Sequence, residues 1–413
     1  MRITYGPWGE TLAELAEAAR AAEEAGAEVV WLPELHRSAT VTAAAVAPVL
    51  SRAGVGTAVA LAFTRSPLTL ALEALDLDEL TGGRFVLGLG VGARRLNERW
   101  HHVAADRPVT RLRETVEIIR AVVAGTPPVV EGETRRADLR GFRRPHRPVR
   151  AAIPIYLAAV GPQLTRLAGR IADGWISHEL CSPAYVREHV LPNLCQATAP
   201  AKDSGVGSER GEEPGARVRA GMGLDGSPGA RVRAGMGLDG SPGARVWAGM
   251  GLDGSPGVRG GAGAGLDGAS GGWVDAGVGP QVGSGLDVVV SACCAIDADP
   301  AEARRQAKGV LGFYASVATY RDFFAFHGLA EEQEAVIEAF RAGTPADGLA
   351  AAVPDRMVER LALAGTPTQV AAGIDAYRGL ATTIKLTPPV YGRPPEAVRE
   401  SQARIIALIK ELT

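Results

Sequence analysis

Glu34 and His36 stand two residues apart, directly after the short apolar run Val29–Leu32. Imidazole is the side chain whose unperturbed pKa lies closest to neutral pH, so His36 is a candidate for proton transfer or for orienting a substrate. Glu34 could orient that imidazole or contact a ring. A lone His also occurs in structural and exposed places, and it is the position at the end of an apolar run that favours chemistry. Trp8 and His178 follow apolar runs in the same way and are candidate pocket residues. The pair His101–His102 has no third ligand at metal-site spacing, so it reads as a surface loop and no metal is expected.

Two further segments could hold a cofactor. GLGVGA (Gly88–Ala93) fits G-x-G-x-x-A after an apolar run. It allows either a dinucleotide-binding turn or, in a barrel, a close approach of a flat cofactor or phosphate to bare backbone. RRLNERWHHVAADRPV follows and reads as an irregular exit. Ala159-Val160-Gly161-Pro162-Gln163 enters a helix with Pro near its first turn. Free N–H groups and the positive end of the helix dipole would suit a phosphate there, and a plain tight turn fits the same residues. Arg94, Arg95 and Arg99 could form a cationic mouth for an anionic cofactor tail or a solvated charged loop.

The elements that must position these residues alternate along the chain. Short apolar runs at Ile3–Gly6, Val29–Leu32, Val55–Phe63, Phe85–Val91, Ile153–Val160, Trp175–His178, Asp287–Ile296 and Thr383–Thr387 read as strands. Amphipathic helices separate them, among them Thr11–Gly26, Thr42–Arg52, Pro67–Leu80, Val109–Ala124, Gln163–Ala172, Ala184–Leu194 and Glu396–Leu412. A helix-rich stretch runs from Pro300 to Leu363. Strands alternating with helices indicate a parallel sheet, and this number of units fits an α/β TIM barrel, (β/α)8, better than an open sheet. In a barrel the chemistry lies at the C-terminal ends of the strands, where all the candidates above fall.

Composition narrows the function classes. The formal net charge is −2, which excludes a strongly basic nucleic-acid binder. No apolar run is long enough to span a membrane, and no signal peptide is evident, so a cytoplasmic location is expected. The four cysteines (Cys181, Cys195, Cys293, Cys294) show no CxxC spacing and read as reduced, mostly buried thiols. Of 52 glycines, 27 fall between Gly205 and Gly285. Three near-identical units, GARVRAGMGLDGSP twice and GARVWAGMGLDGSP, fill Gly215–Pro256, and a decayed unit follows over Gly257–Ser270. GMGLDG lacks the following helix of a dinucleotide fingerprint. With Asp225, Asp239, Asp253 and Asp267 as ligands it would resemble a calcium roll, but its period is too long. Residues 204–284 therefore read as a Gly-rich, disordered insert between the sixth helix and seventh strand, within one domain spanning 1–413.

The residues also resemble a family. GTAVALAFTRSPLTLALEALDLDELTGGRFVLGLGVGARRLNER (Gly56–Arg99), PIYLAAVGPQLTRLAGRIADGWISH (Pro154–His178) and LGFYASVATYRDFFAFHG (Leu311–Gly328) look like the luciferase-like monooxygenase superfamily, in its deazaflavin (coenzyme F420)-dependent oxidoreductase branch. The resemblance implies a TIM barrel, usually a homodimer, with a deazaflavin at the strand C-termini and a small-molecule substrate. By the same resemblance Ala58–Val59 would be a non-proline cis peptide supporting the ring. Val91 and Gly92 would contact the cofactor, and Ala158, Ala159, Gly161 and Pro162 would hold its phosphate-bearing tail. Ala93 and Arg94 stand where sugar-phosphate dehydrogenases of the family place a Glu, which argues against that substrate. An FMN-dependent monooxygenase is the alternative, and a non-catalytic cofactor-binding barrel is a third reading.

Because the insert should leave from the N-terminal face, replacing Ser204–Gly283 by a short flexible linker is expected to leave melting temperature and cofactor affinity nearly unchanged. Loss of cofactor binding in folded, soluble protein would show the opposite.

Overall fold

The computed structural model describes residues 1–126, 128–196 and 285–413. Parallel strands β1 (Arg2–Tyr5), β2 (Val29–Leu32), β3 (Gly54–Thr57), β4 (Phe85–Gly90), β5 (Ile155–Ala158), β6 (Gly174–Ile176), β7 (Asp287–Ile296) and β8 (Thr383–Thr387) form a closed barrel. β7 completes the ring: Val289 lies opposite Ile176 of β6 and Thr383 of β8. Surrounding helices cover the outer face, as the alternation of apolar runs and amphipathic segments implies. The expected insert, 204–284, lies outside the described residues.

Two expectations need correction. The third run does not continue as one strand to Phe63. It breaks after Thr57 at a cis Ala58–Val59 peptide, and Ala60–Leu61 then pairs with Leu89 and Gly90 of β4. The irregular exit after Gly92 is instead a helix, Arg94–Arg99, which starts after Ala93 without a side-chain cap. A dinucleotide-fold reading of Gly88–Ala93 falls with barrel closure, since β4 pairs with β3 and β5 inside the ring.

Alternation along the strands decides what fills the barrel. Val29, Trp31, Val86, Tyr156, Ile176 and Val289 form the inner cluster. The Trp31 and Tyr156 rings are 5.9 Å apart. They fit because glycines face them: a Cβ on Gly56 would lie 2.4 Å from the Trp31 ring, and one on Gly174 2.7 Å from that of Tyr156. Outside the strands, a larger apolar core packs the barrel against its helices. Local signals start those helices. Ser66 caps Pro67–Leu80, and Thr366 with Gln369 forms a capping box for Pro367–Asp375, each such cap contributing about 1 kcal/mol.

The N-terminal end of the barrel is closed by polar groups. Asp287 accepts from Tyr156 Oη at 2.8 Å and from Thr383 Oγ1 at 2.9 Å, and it also pairs with Arg2. The β7–β8 connection carries its own apolar core, in which Phe323, Phe324, Leu349 and Met357 pack with Leu180, Cys293 and Ala295. That module lies over the C-terminal end of β7.

A hairpin, Val129–Glu131 with Arg136–Asp138, is tied down by one carboxylate. Glu114, buried on helix Pro108–Val123, accepts from the N–H groups of Glu133, Thr134 and Arg135 at 2.8–2.9 Å and from Thr134 Oγ1 at 2.6 Å. Burial pushes its pKa up, but those hydrogen bonds outweigh it and hold the group at about 2. A depressed acid stabilises the fold fully above its ordinary range and loses that contribution as pH falls toward the folded value. Glu114→Gln should therefore cost roughly 1–3 kcal/mol at pH 7. In urea titrations the gap from wild type should narrow below about pH 4; a gap independent of pH would refute the anchoring role.

Candidate active site

The C-terminal mouth is built from the loops that follow the strands. After β1, the backbone of Trp8 is held at both ends by one amide: Trp8 N donates to Gln402 Oε1 at 2.8 Å, and Gln402 Nε2 donates to Trp8 O at 3.1 Å. Tyr5 Oη donates to the same Oε1 at 3.1 Å. Arg37 donates to Glu10 O at 2.5 Å, which ties the loop carrying His36 to the loop carrying Trp8. His36 itself is exposed and has no hydrogen-bond partner among the described residues.

Glu34 does not reach His36. It takes two guanidinium N–H groups of Arg65, at 2.8 and 2.5 Å, and the N–H of Leu61 at 2.8 Å. Arg65 also faces Glu73 at 3.5 Å. The carboxylate thus fixes the Ala60–Arg65 loop beside Ala58 and Val59, and positioning that loop is what its geometry provides. Arg65 was not among the residues singled out from sequence, although a basic residue after a strand end was visible there.

The glycines of β4 make close approach possible. A Cβ on Gly88 would meet Thr57 O at 1.8 Å, and one on Gly90 would meet Val59 Cγ2 at 2.5 Å. Gly92 has φ +69°, a conformation suited to glycine. Asn97 Nδ2 donates to Val91 O at 2.7 Å and holds the Val91–Gly92 turn, while Asn97 Oδ1 is buried without a partner. Across the mouth, helix Pro162–Ile171 starts at Gly161 with no side-chain cap, and a Cβ on Gly161 would meet nothing within 4 Å. Ala158 ends β5, and Ala159 O accepts from Trp175 Nε1 at 3.0 Å. Ala58–Val59, Val91–Gly92 and Ala158–Pro162 therefore lie at the ends of β3, β4 and β5, consecutive around the ring, as a bare-backbone cradle. A flat ring with an anionic tail fits such a cradle, the tail meeting unpaired N–H groups at a helix N-terminus. Arg94, Arg95 and Arg99 are exposed on the adjoining helix, with Arg94 paired to Glu98 at 2.7 Å.

β6, β7 and β8 bring a different set. His178 Nδ1 accepts from Leu180 N at 3.2 Å, so the neutral ring carries its proton on Nε2, which is buried without a partner. Tyr314, Tyr320 and Phe323 surround the ring, with centroids at 5.8, 5.1 and 4.6 Å. Burial, then the neighbouring His327, lowers the His178 pKa to about 3. Beside it Glu179 lies 4.0 Å from Lys385, a buried β8 side chain whose pKa burial lowers and Glu179 partly restores. Lys385, Tyr314 and Tyr320 were not foreseen beside His178. A lysine inside the buried run TIKLT, in a chain with few lysines, was the signal that could have found Lys385. Among the described residues no group of His, Cys, Asp and Glu could hold a metal ion, and no helix is long and apolar enough to cross a membrane.

The closed ring of parallel strands defines an α/β barrel with this cradle at its C-terminal mouth, and the comparisons place it more narrowly. The model of the luciferase-like monooxygenase family matches residues 2–207 and 256–383, so the chain belongs to that family. It is 37% identical over 186 residues to a Mycobacterium tuberculosis protein named as a coenzyme F420-dependent oxidoreductase, covering 42% of this chain and 54% of that one. The chain thus aligns with about half the length of that relative. Among solved structures, the F420-dependent tetrahydromethanopterin reductase of Methanopyrus kandleri superposes with TM-score 0.67 at 19% identity, over 98% of this chain and 99% of that one. A type II Baeyer–Villiger monooxygenase of Pseudomonas putida in complex with FMN gives 0.57 at 14% identity, over 100% and 98%. These two likenesses speak for the fold.

With His178 held neutral by burial, nitrogen-detected NMR should show the Nε2–H tautomer unchanged from pH 8 to pH 5. The lowered pKa means that the unfolded state binds the extra proton first, so this group should erode stability as pH drops below its ordinary range near 6.5. Protonation of His178 near pH 6 would contradict the burial seen here.

Proposed function

We propose that the protein is a coenzyme F420-dependent oxidoreductase that moves a hydride between the deazaflavin and a small organic substrate. The observation that carries this is the bare-backbone cradle on β3, β4 and β5, at the very segments whose sequence resembles the deazaflavin branch. The F420-dependent name of the M. tuberculosis relative supports the same reading. Ala58, Val59, Val91 and Gly92 would hold the ring, and Ala158, Ala159, Gly161 and Pro162 the phosphate-bearing tail. When bound, the deazaflavin supplies the hydride chemistry. The chain supplies position, through Glu34–Arg65 and Asn97, and a wall against solvent. His36 is assigned to proton transfer or substrate orientation, with Trp8 and His178 lining the substrate pocket. The active assembly is expected to be a homodimer, with no nucleic acid involved.

FMN-dependent monooxygenation is the second reading, favoured by the fold likeness to the FMN-bound monooxygenase. The exposed arginines on Arg94–Arg99 weigh toward the more anionic F420 tail. Parallel titrations should find F420 binding at least about tenfold tighter than FMN, about 1.4 kcal/mol. Changing Arg94 and Arg95 together to Ala should weaken F420 more than FMN, with an effect that shrinks in added salt. Tighter FMN binding with FMN-dependent oxygen consumption would move the assignment to the monooxygenase.

The same reading assigns turnover to His36. His36→Ala should keep the fold and most cofactor affinity while lowering turnover by about 10². Unchanged kinetics would remove His36 from the mechanism.

A further inference from the structure

The hairpin that follows helix Pro108–Val123 reaches the barrel through one side chain. Arg135 stands just before its second strand, and its N–H is among those that Glu114 collects. Its guanidinium holds two acceptors at once. Nε donates to Thr115 Oγ1 at 3.2 Å, and Nη2 donates to Ala62 O at 3.2 Å, 73 positions away in the chain. Thr115 is fully buried, and its hydroxyl proton goes to Arg111 O at 2.8 Å, so the oxygen is oriented to accept. The guanidinium carbon of Arg135 also lies 5.7 Å from the centre of the Phe63 ring, within cation–π range, and Phe63 is buried.

Ala62 belongs to the loop against which the cradle is built. Its N–H donates to Gly90 O at 2.9 Å, so β4 holds its N–H and the hairpin holds its C=O. One residue earlier, Leu61 N donates to Glu34, and the Leu61 side chain lies against Gly92, where a Cβ would come within 2.9 Å of Leu61 Cδ2. Val59 packs on Gly90 in the same way. The backbone from Ala58 to Phe63 is thus tied by Glu34, by β4 and by Arg135. The first two ties come from the barrel itself. The third comes from the hairpin, whose own attachment is Glu114. Anything that steadies the loop therefore favours the docked hairpin, and freeing the hairpin loosens the loop. Two sites joined in this way change each other's occupancy by the same factor.

We propose that Arg135 is a positioning residue of the cradle: its fork fixes the Ala58–Phe63 backbone and couples docking of the hairpin to filling of the cradle by the cofactor. The coupling rests on the cofactor reading above, while the hold on the loop is a property of the cofactor-free chain.

The test is amide hydrogen exchange on full-length wild type and Arg135→Lys, without and with F420. Lysine keeps the charge and loses the fork, so a response cannot come from lost attraction to an anionic tail. Without cofactor, the Leu61 and Ala62 amides should exchange about tenfold faster in Arg135→Lys, the scale of one lost charge-assisted hydrogen bond. The Ser177 amide, which donates to Val289 O at the β6–β7 seam, should be unchanged. Saturating F420 should slow the Glu133, Thr134 and Arg135 amides of wild type by about tenfold, and the F420 affinity of Arg135→Lys should fall by a similar factor. Unchanged Leu61 and Ala62 exchange in Arg135→Lys overturns the proposal. So does a rise shared by Ser177, which is general loosening, and so does full F420 affinity in a variant whose loop has loosened. If Arg135→Lys does not fold, Glu114→Gln, which frees the hairpin and leaves Arg135 in place, is read at the same amides with the same outcomes. Failure of F420 to bind wild type, with the Leu61 and Ala62 response intact, rejects the F420 reading alone, and the coupling is then read with FMN.

Discussion

Closure of the barrel depends on one carboxylate at its N-terminal end. Asp287 opens β7, the strand that joins β6 to β8, and it collects donors from three other strands: Arg2 of β1, Tyr156 of β5 and Thr383 of β8. Removing one member of such a buried charged set typically costs 3–5 kcal/mol, because the remaining charge is left without compensation. The network also divides the barrel's length. Polar groups at the bottom are mutually satisfied, whereas at the top Ser291 Oγ and His178 Nε2 remain unpartnered.

Between those ends the interior is filled by an exchange of volume across facing strands. Trp31 and Tyr156 occupy the space that Gly56 and Gly174 leave. The same device recurs higher up with a different result. Gly88 and Gly90 are required by Thr57 and Val59, and the turn they lead into, Val91–Gly92, is held by Asn97 rather than by a bulky neighbour. Glycine thus makes room for aromatic rings in the lower barrel and for close approach of neighbouring strands and loops nearer the rim, so a glycine-rich strand alone does not announce a cofactor site.

This separates what could be read from the sequence from what could not. Strand positions were legible because fully buried parallel strands are short apolar runs between amphipathic helices, and barrel closure followed from their number. The break at Ala58–Val59 was visible through family resemblance and invisible to periodicity, since Val55–Phe63 is apolar apart from Thr57. The helix Arg94–Arg99 was missed because its charged residues carry no apolar period. Site contacts were less legible still. Glu34 was placed correctly at a strand end, but its partner Arg65 lies 31 positions away and only the fold brings them together. Lys385 and Glu179 are separated by far more of the chain, and neither belongs to a motif.

The two histidines singled out from sequence end up with opposite environments, and this limits what each can do. His178 is enclosed by Tyr314, Tyr320 and Phe323, and burial holds its pKa at about 3. Near neutral pH such a ring stays uncharged, so it can donate its Nε2–H in a hydrogen bond but has no imidazolium proton to deliver. His36 stands on an exposed loop, in contact with solvent and joined through Arg37 to the loop of Trp8. Of the two, only His36 has its ring in contact with bulk solvent. Around the ring, the buried donors of β6–β8 and the exposed loop after β2 are linked by the cradle of β3–β5 on one side and by β1, whose following loop carries Trp8, on the other.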